Sequence, residues 1–278
     1  MWEIACLRLG DKIPVTTRPR LERAARIVGW HAAVPLLRAR ARARLRRLEQ
    51  GQVTVLTVNW NSWGHLAVLI DTVGRRSPPD TRILVMDAGS QDESRARLAG
   101  DRRVRTVLLP ANVGHDLALD LGVLLCNTEY VVTLDVDAFP LHDGWLEELL
   151  VPLRAGAQVS GARLNREYVH PCCLAMRTSR FVTQGHSFRE RYRPREHGRD
   201  ASGDVGEELS AREAPNLHFF DVTSQRGPVD VGTIFGDLVY HNFYATRFRA
   251  TTEQRLDDAV ELADAERAWE EALQRYVP

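Results

Sequence analysis

The sequence has almost no lysine. Lys12 is the only one, and arginine supplies the rest of its 37 basic residues. It has no net charge either, because 37 acidic residues balance the basic ones. A general nucleic-acid binder is basic overall, so that class of partner is set aside. The arginine bias and the many alanines read as genome composition rather than function. Cysteine is scarce: Cys6, Cys126, Cys172 and Cys173 show neither CxxC nor zinc-site spacing. Cys126 sits in an apolar run and reads as core, while adjacent Cys172 and Cys173 read as free thiols of a reducing compartment. No apolar run is long enough to span a bilayer. Met1–Gly10 contains Glu3 and lacks the long apolar core of a secretory signal. The expectation is a soluble cytoplasmic protein. Three nucleotide and hydrolase signatures are also missing. No GxGxxG follows the first apolar run, and neither GxxxxGK[ST] nor GxSxG occurs.

What is present is organised around Val131–Trp145, VVTLDVDAFPLHDGW. Val131, Val132 and Leu134 read as a buried strand over Tyr130–Val136 that Pro140 stops, with a helix starting near Trp145. Side chains two apart on a strand share a face, so Asp135 and Asp137 aim at one spot. Open α/β sheets bind ligands at such a carboxyl end. Two acids there suit a hard divalent cation, and such cations commonly ride on phosphate groups.

Upstream, Val53–Val58, Thr81–Met86 and Arg103–Leu109 read as strands. Helices are expected over His65–Gly74, over Glu93–Ala99 and from Asn112 to Leu125. This β-α-β-α-β-α-β order predicts an α/β fold with a parallel sheet and helices on both faces. Residues 1–50 look like an appendage. Met1–Arg18 alternates weakly, and Pro19–Gln50 is helical in pattern, with interruptions expected near Gly29 and Pro35. Arg38, Arg40, Arg42, Arg44, Arg46 and Arg47 make that helix cationic. Two readings stand: a solvated face or an arm packed on the domain's acidic patches, and a contact to an anionic membrane surface or polyanionic acceptor.

VTVLTVNWN, ILVMDAGSQDES, ANVGHDLALDLGV and VVTLDVDAFPLHDGWLEEL, in this order and spacing, resemble family 2 glycosyltransferases. The match is clear over residues 52–150 and looser to about residue 249. The resemblance implies a GT-A-like, mainly parallel sheet flanked by helices, here with an N-terminal helical extension and a C-terminal helix. It also implies a nucleotide-diphosphate sugar donor (UDP, GDP or dTDP) and Mn²⁺ or Mg²⁺ bridging its phosphates. Residues 1–50 would be the basic arm, 51–150 the nucleotide-sugar-binding half, 151–250 the acceptor-binding and catalytic half, and 251–278 the closing helix.

On this resemblance Val58, Asn59, Trp60 and Asn61 stand where base and ribose dock, and Asp87 hydrogen-bonds the pyrimidine ring. Its carboxylate can accept from a ring N–H, and this reading is preferred to the alternative of an Asx turn before Gly89. Asn112 and Gly114 resemble the family's NxG turn, with His115-Asp116 replacing the more usual aromatic or small residues. Asp135 contacts ribose or sugar, and Asp137 ligates the metal. His241 lies where a late histidine completes the metal shell in many relatives. Tyr168–Arg177 resembles the acceptor-side segment, which makes His170 and Arg177 acceptor-binding candidates. An acid at a helix start acts as general base in the family. Asp204 fits best, Glu207 second and Asp221 third, against a capping-box reading of Asp204 with Glu207. Arg247 or Arg249 would neutralise the leaving diphosphate.

Thr183–Gly203 reads as a long loop and a plausible lid. Leu217–Val222 reads as one strand. Thr252–Tyr276 reads as an amphipathic helix whose Leu256, Val260, Ala263, Trp269 and Leu273 face the domain or a second subunit. The expected activity is metal-dependent, inverting transfer of a hexose to an acceptor hydroxyl. The acceptor is a saccharide, a lipid-linked sugar or a small natural product, and the enzyme sits in the cytoplasm or at the inner membrane face. Two rivals stay open: a sugar nucleotidyltransferase-like enzyme, and a non-catalytic nucleotide-sugar binding module.

Overall fold

The structure, a computed structural model, describes residues 18–163, 168–189, 205–225, 231–243 and 262–277. It is α/β, with one large sheet between two layers of helices and one small sheet at its carboxyl edge. The first half alternates strictly: β1 (Glu49–Asn59), α2 (Trp63–Arg76), β2 (Arg82–Asp87), α3 (Ser94–Gly100), β3 (Val104–Leu108), α4 (His115–Leu125) and β4 (Thr128–Leu134). The helix before them is α1 (Arg18–Arg44). After β4 come β5 (Ala138–Pro140), α5 (Trp145–Arg154), β6 (Val159–Arg163), β7 (Val169–Arg177), α6 (Thr178–Gln184) and α7 (Glu207–Glu213). Then follow β8 (Leu217–Phe220), β9 (Val222–Ser224), β10 (Thr233–Phe235), β11 (Val239–His241) and α8 (Leu262–Tyr276).

The large sheet has the order β3-β2-β1-β4-β7-β6-β8. The pairings β1–β2, β2–β3, β1–β4 and β6–β8 are parallel, and only β7 runs against its neighbours. The sheet is therefore mainly parallel, as the strand–helix alternation predicts. Such strands are apolar throughout because both faces are covered, and β1 is buried without a break from Val53 to Asn59. One face packs on α2, α3 and α5 through Leu66, Leu69, Ile70, Leu98, Trp145 and Leu149. The other packs on α1, α4, α6 and α7.

Three expectations change here. First, α1 runs unbroken through Gly29 and Pro35. Proline inside a helix costs about 3 kcal/mol; burial of Val34, Ala41 and the following Leu48, with α1 lying on α4 and α6, offsets it. Second, the helix is anchored mainly through backbone carbonyls, while the buried Asp120 carboxylate also attracts Arg38. Arg38 donates to the carbonyls of Phe181 (2.9 Å) and His186 (2.6 Å) at the end of α6. Arg44 donates to Leu124 O (2.8 Å) and Cys126 O (3.0 Å) at the end of α4. Both guanidiniums add donors to carbonyls at or just past a helix C-terminus. Third, β4 ends at Leu134, and Asp135–Asp137 form a turn closed by Ala138 N–H to Asp135 O at 2.9 Å. Pro140 lies inside β5, which is tolerated because β5 is an edge strand of the small sheet.

The small sheet has the order β5-β11-β10-β9 and is antiparallel. The expected strand Leu217–Val222 breaks at Asp221, so β8 joins the large sheet and β9 the small one. Residues 231–241 form a tight hairpin. A short helix, α6, takes up the start of the expected loop Thr183–Gly203, and residues 190–203 lie outside the described residues. α8 faces the domain. Ala265, Ala268, Trp269 and Ala272 are buried, and Trp269 meets Phe139 at 5.4 Å and His65 at 4.6 Å between ring centres. Leu256 and Val260 lie outside the described residues. Among the described residues, no helix is long and apolar enough to cross a membrane.

Candidate active site

Three loops meet at the carboxyl ends of β1, β2 and β3. Asn59 Nδ2 donates to Asp87 Oδ2 (2.9 Å) and to Ser90 Oγ (3.1 Å). Ser90 N–H returns to Asp87 Oδ1 at 3.1 Å. Asn61, at φ 52°, accepts Gln91 N–H at 2.6 Å on its Oδ1 and donates its own N–H to Ser90 Oγ at 2.9 Å. Gly89, at φ 78°, presses on the third loop so closely that a Cβ there would stand 2.7 Å from Ala111 Cα. Asn112 Oδ1 accepts Gly114 N–H at 2.9 Å, and Gly114 takes φ 95° as the N-cap of α4. Val58 and Asn59 are buried, while Trp60 and Asn61 are partly exposed. Asp87 is wholly buried, with one oxygen accepting from Asn59 and the other from Ser90 N–H.

Beside these loops the turn after β4 carries Asp135 and Asp137. The register of β5 on β11 sets His241 opposite Ala138, and Asn242 N–H donates to Asp137 O at 3.0 Å. This brings His241 Nε2 to 3.2 Å from Asp137 Oδ1 and 3.4 Å from Asp135 Oδ2. One ligand atom from each of Asp135, Asp137 and His241 lies within 4.8 Å of the others. Two carboxylates and an imidazole fit Mn²⁺ or Mg²⁺, and the imidazole tilts the set toward Mn²⁺ over Ca²⁺. Asp135 Oδ1 and His241 Nδ1 are buried without a hydrogen bond, as expected of a site with donor capacity left over. Burial opposes charge on both acids. His115 and His241 outweigh it for Asp135, and His241 does so for Asp137, so both carboxyls sit below the usual range. Both are ionised at neutral pH, which a cation site requires.

His170, on β7, stands beside this group, its ring 6.2 Å from that of His241, and its Nδ1 accepts Cys172 N–H at 3.1 Å. Arg177 does not join it. β7 runs antiparallel to β4, so its first residues reach the cleft and its last lies at the opposite end, where Arg177 pairs with Glu129 and covers the Tyr130 ring. Gly206, not Asp204, is the N-cap of α7, which makes Glu207 its first residue rather than the third of a capping box. Gly206 packs at 3.4 Å from Pro171 by the Cβ it lacks, next to His170. Asp221 is exposed and paired with Arg163 at 2.6 Å. Asp204, Arg247 and Arg249 lie outside the described residues.

Two neighbours of the site are not singled out by the sequence pattern as site residues. Phe243 lays its ring 3.7 Å from that of His241, and His115 reaches Asp135 at 3.2 Å. The one hint was His115 itself, a departure from the residues usual after the NxG turn. The thiols of Cys126, Cys172 and Cys173 are free and buried, and burial pushes Cys173 up to about 12, so they stay protonated spectators.

The comparisons with known proteins agree with this geometry in family. A model described as Glycosyl transferase family 2 matches residues 54–190. The search of curated proteins gives no significant match. Among solved structures, S. aureus TarS 1-349 in complex with UDP-GlcNAc aligns with a TM-score of 0.48 at 14% identity, covering 65% of this chain and 62% of that one. The same protein in complex with UDP gives 0.43 at 15% identity, over 50% of each chain. Mannosyltransferase PcManGT from Pyrobaculum calidifontis in complex with GDP-Man and Mn²⁺ gives 0.44 at 17% identity, over 60% of this chain and 58% of that one. The chain spans between 50% and 62% of the length of these structures. Over residues 54–190, then, the chain is similar to glycosyl transferase family 2.

Proposed function

We propose that the protein is a divalent-cation-dependent glycosyltransferase that moves a hexose from a nucleotide-diphosphate sugar to an acceptor hydroxyl with inversion. The observation that carries this reading is the convergence of Asp135, Asp137 and His241 at the carboxyl end of a mainly parallel sheet. Asp137 and His241 are the cation's main ligands, and Asp135 offers Oδ2 to the cation or to the sugar. A cation held there would neutralise charge on the departing diphosphate. The laced loops of Asn59–Asn61, Asp87–Gln91 and Asn112–Gly114 form the nucleotide shelf, with Trp60 as its partly exposed aromatic.

On the acceptor side, His170 flanks the hydroxyl. The base that takes the hydroxyl proton is Asp204, two residues before the N-cap of α7 in sequence, with Glu207 second. Arg247 serves the diphosphate. The acceptor is a saccharide, a lipid-linked sugar or a small molecule. Arg40, Arg42, Arg46 and Arg47 are exposed on α1 and the turn after it, and Leu36 is 57% exposed beside them, a face suited to anionic lipid headgroups.

The test is nucleotide release in the presence of Mn²⁺ from UDP-, GDP- and dTDP-sugars offered with candidate acceptors, followed by NMR of the product's anomeric configuration. Turnover with one donor, lost in Asp137→Ala, is the expected result. No binding of any nucleotide sugar, with Asp137→Ala indistinguishable from the parent, sinks the reading.

A further inference from the structure

The group at the cleft does not end with the three side chains that can hold a cation. His115, the first residue of α4, sets its Nε2 3.2 Å from Asp135 Oδ1. His241 approaches the other oxygen, Oδ2, at 3.4 Å. Imidazole and carboxylate therefore alternate in a row, His115–Asp135–His241–Asp137. Asp135 is otherwise poorly held. It lies beyond the last residue of β4, and no backbone N–H among the described residues donates to its carboxylate. The ring of His115 stands off the direct hydrogen-bond line to Oδ1, so the contact is electrostatic in this geometry. Contacts of this kind tighten when a site fills.

Filling the site changes who holds Asp135. An imidazole nitrogen that ligates a cation cannot donate a hydrogen bond at the same time. Once His241 Nε2 is a ligand, its hold on Oδ2 is gone, while His115 still stands 3.2 Å from Oδ1, with the charge of His170 acting on Asp135 more weakly. We propose that His115 is a positioning residue of the cation site: it holds Asp135 by Oδ1 and so points Oδ2 at the ion. Its own place is fixed by the backbone, since the Asn112–Gly114 turn and the φ of 95° at Gly114 deliver the first residue of α4 to that spot. The inference rests on the cation reading of the preceding section. Carboxylates that ligate are themselves held by outer partners, whose loss typically costs about 10- to 100-fold in metal affinity.

The experiment is Mn²⁺ binding to the full chain, followed by the loss of the free-ion electron paramagnetic resonance signal and by calorimetry. The parent is expected to bind one Mn²⁺. His115→Phe keeps the ring and removes the donor, and its affinity should fall by about 10- to 100-fold. His115→Gln returns an N–H near the position of Nε2 and should recover most of the loss. In an Asp135→Asn background, His115→Phe should add no further loss. Parent-like affinity in His115→Phe, or no recovery in His115→Gln with both variants folded by circular dichroism, overturns the role of His115 while the cation site stands. A parent that binds no Mn²⁺ overturns the cation reading itself, and the role of His115 with it.

Discussion

Two groups of carboxylates among the described residues, one under α1 and one in the cleft, are treated differently. Under α1, every carboxylate oxygen is answered by the protein. Glu213 accepts Arg180 Nε and Nη2, each at 2.9 Å, and meets His186. Asp120 accepts Ser187 Oγ at 2.5 Å and Phe188 N–H at 2.8 Å, with Arg189 at 3.6 Å. In the cleft, the ion-pair partners of Asp135 and Asp137 among the described residues are imidazoles, and Asp135 Oδ1 has no hydrogen bond there. The difference teaches how to sort buried acids. A carboxylate whose donors are all internal holds the fold, and one left short of donors is placed for a ligand. By that criterion Asp87 belongs with the first group despite standing at the edge of the cleft.

Substitutions can break this division, and the largest effect is expected at Asp137. Asp137→Ala should lower the transfer rate by roughly 1000-fold, with little change in the urea midpoint. A large loss of stability there would erase the contrast. Glu213→Ala should do the reverse. It strands Arg180 and a buried His186, and chemical denaturation should show a loss of about 3 kcal/mol with Mn²⁺ affinity intact.

Asp120 sharpens the comparison through pH. Burial pushes its carboxyl up to about 6, against the hydrogen bonds of Ser187 and Phe188 and the charge of Arg189. The folded state thus binds this proton more tightly than the unfolded chain, where the carboxyl titrates near 3.8. The stabilisation is fully present below about pH 4 and is lost as pH rises through about 6, amounting to roughly 2–3 kcal/mol. Asp120→Asn should flatten that slope in stability measured from pH 4 to 7, and an unchanged slope would remove Asp120 from the account.

The smallest effect is expected at Asp87. Asp87→Asn should cost about 1–2 kcal/mol, since an amide donor now faces Asn59 or the Ser90 N–H. Nucleotide affinity should change by no more than about 3-fold, or roughly 0.7 kcal/mol. A much larger loss of affinity in a stable protein would return Asp87 to the ligand-binding group.

The chain order of the first half was legible because local patterns carry it. Apolar runs such as Val53–Val58 and the 3.6-residue periodicity of Leu66, Leu69, Ile70 and Val73 are properties of neighbouring residues. The errors fell where partners far apart in sequence decide. Pro140 reads as a stop because nothing nearby shows that a strand 99 to 101 residues later will pair with it as an edge. Gly29 and Pro35 read as breaks because the burial that carries α1 across them comes from α4 and α6. Arg177 fell at the wrong end of the sheet because the direction of β7 is invisible in its own residues.

The sequence by itself determined the alternating strands and helices and the adjacency of Asp135 and Asp137, both consequences of short-range backbone geometry. Only the tertiary structure decided what surrounds those acids. His241 arrives from 104 residues beyond Asp137 through the pairing of β11 with β5, and His115 through a glycine turn at the head of α4. Those meetings are set by which strands pair and in what direction. That is a property of the whole folded chain, because each pairing must bury its apolar faces together with all the others.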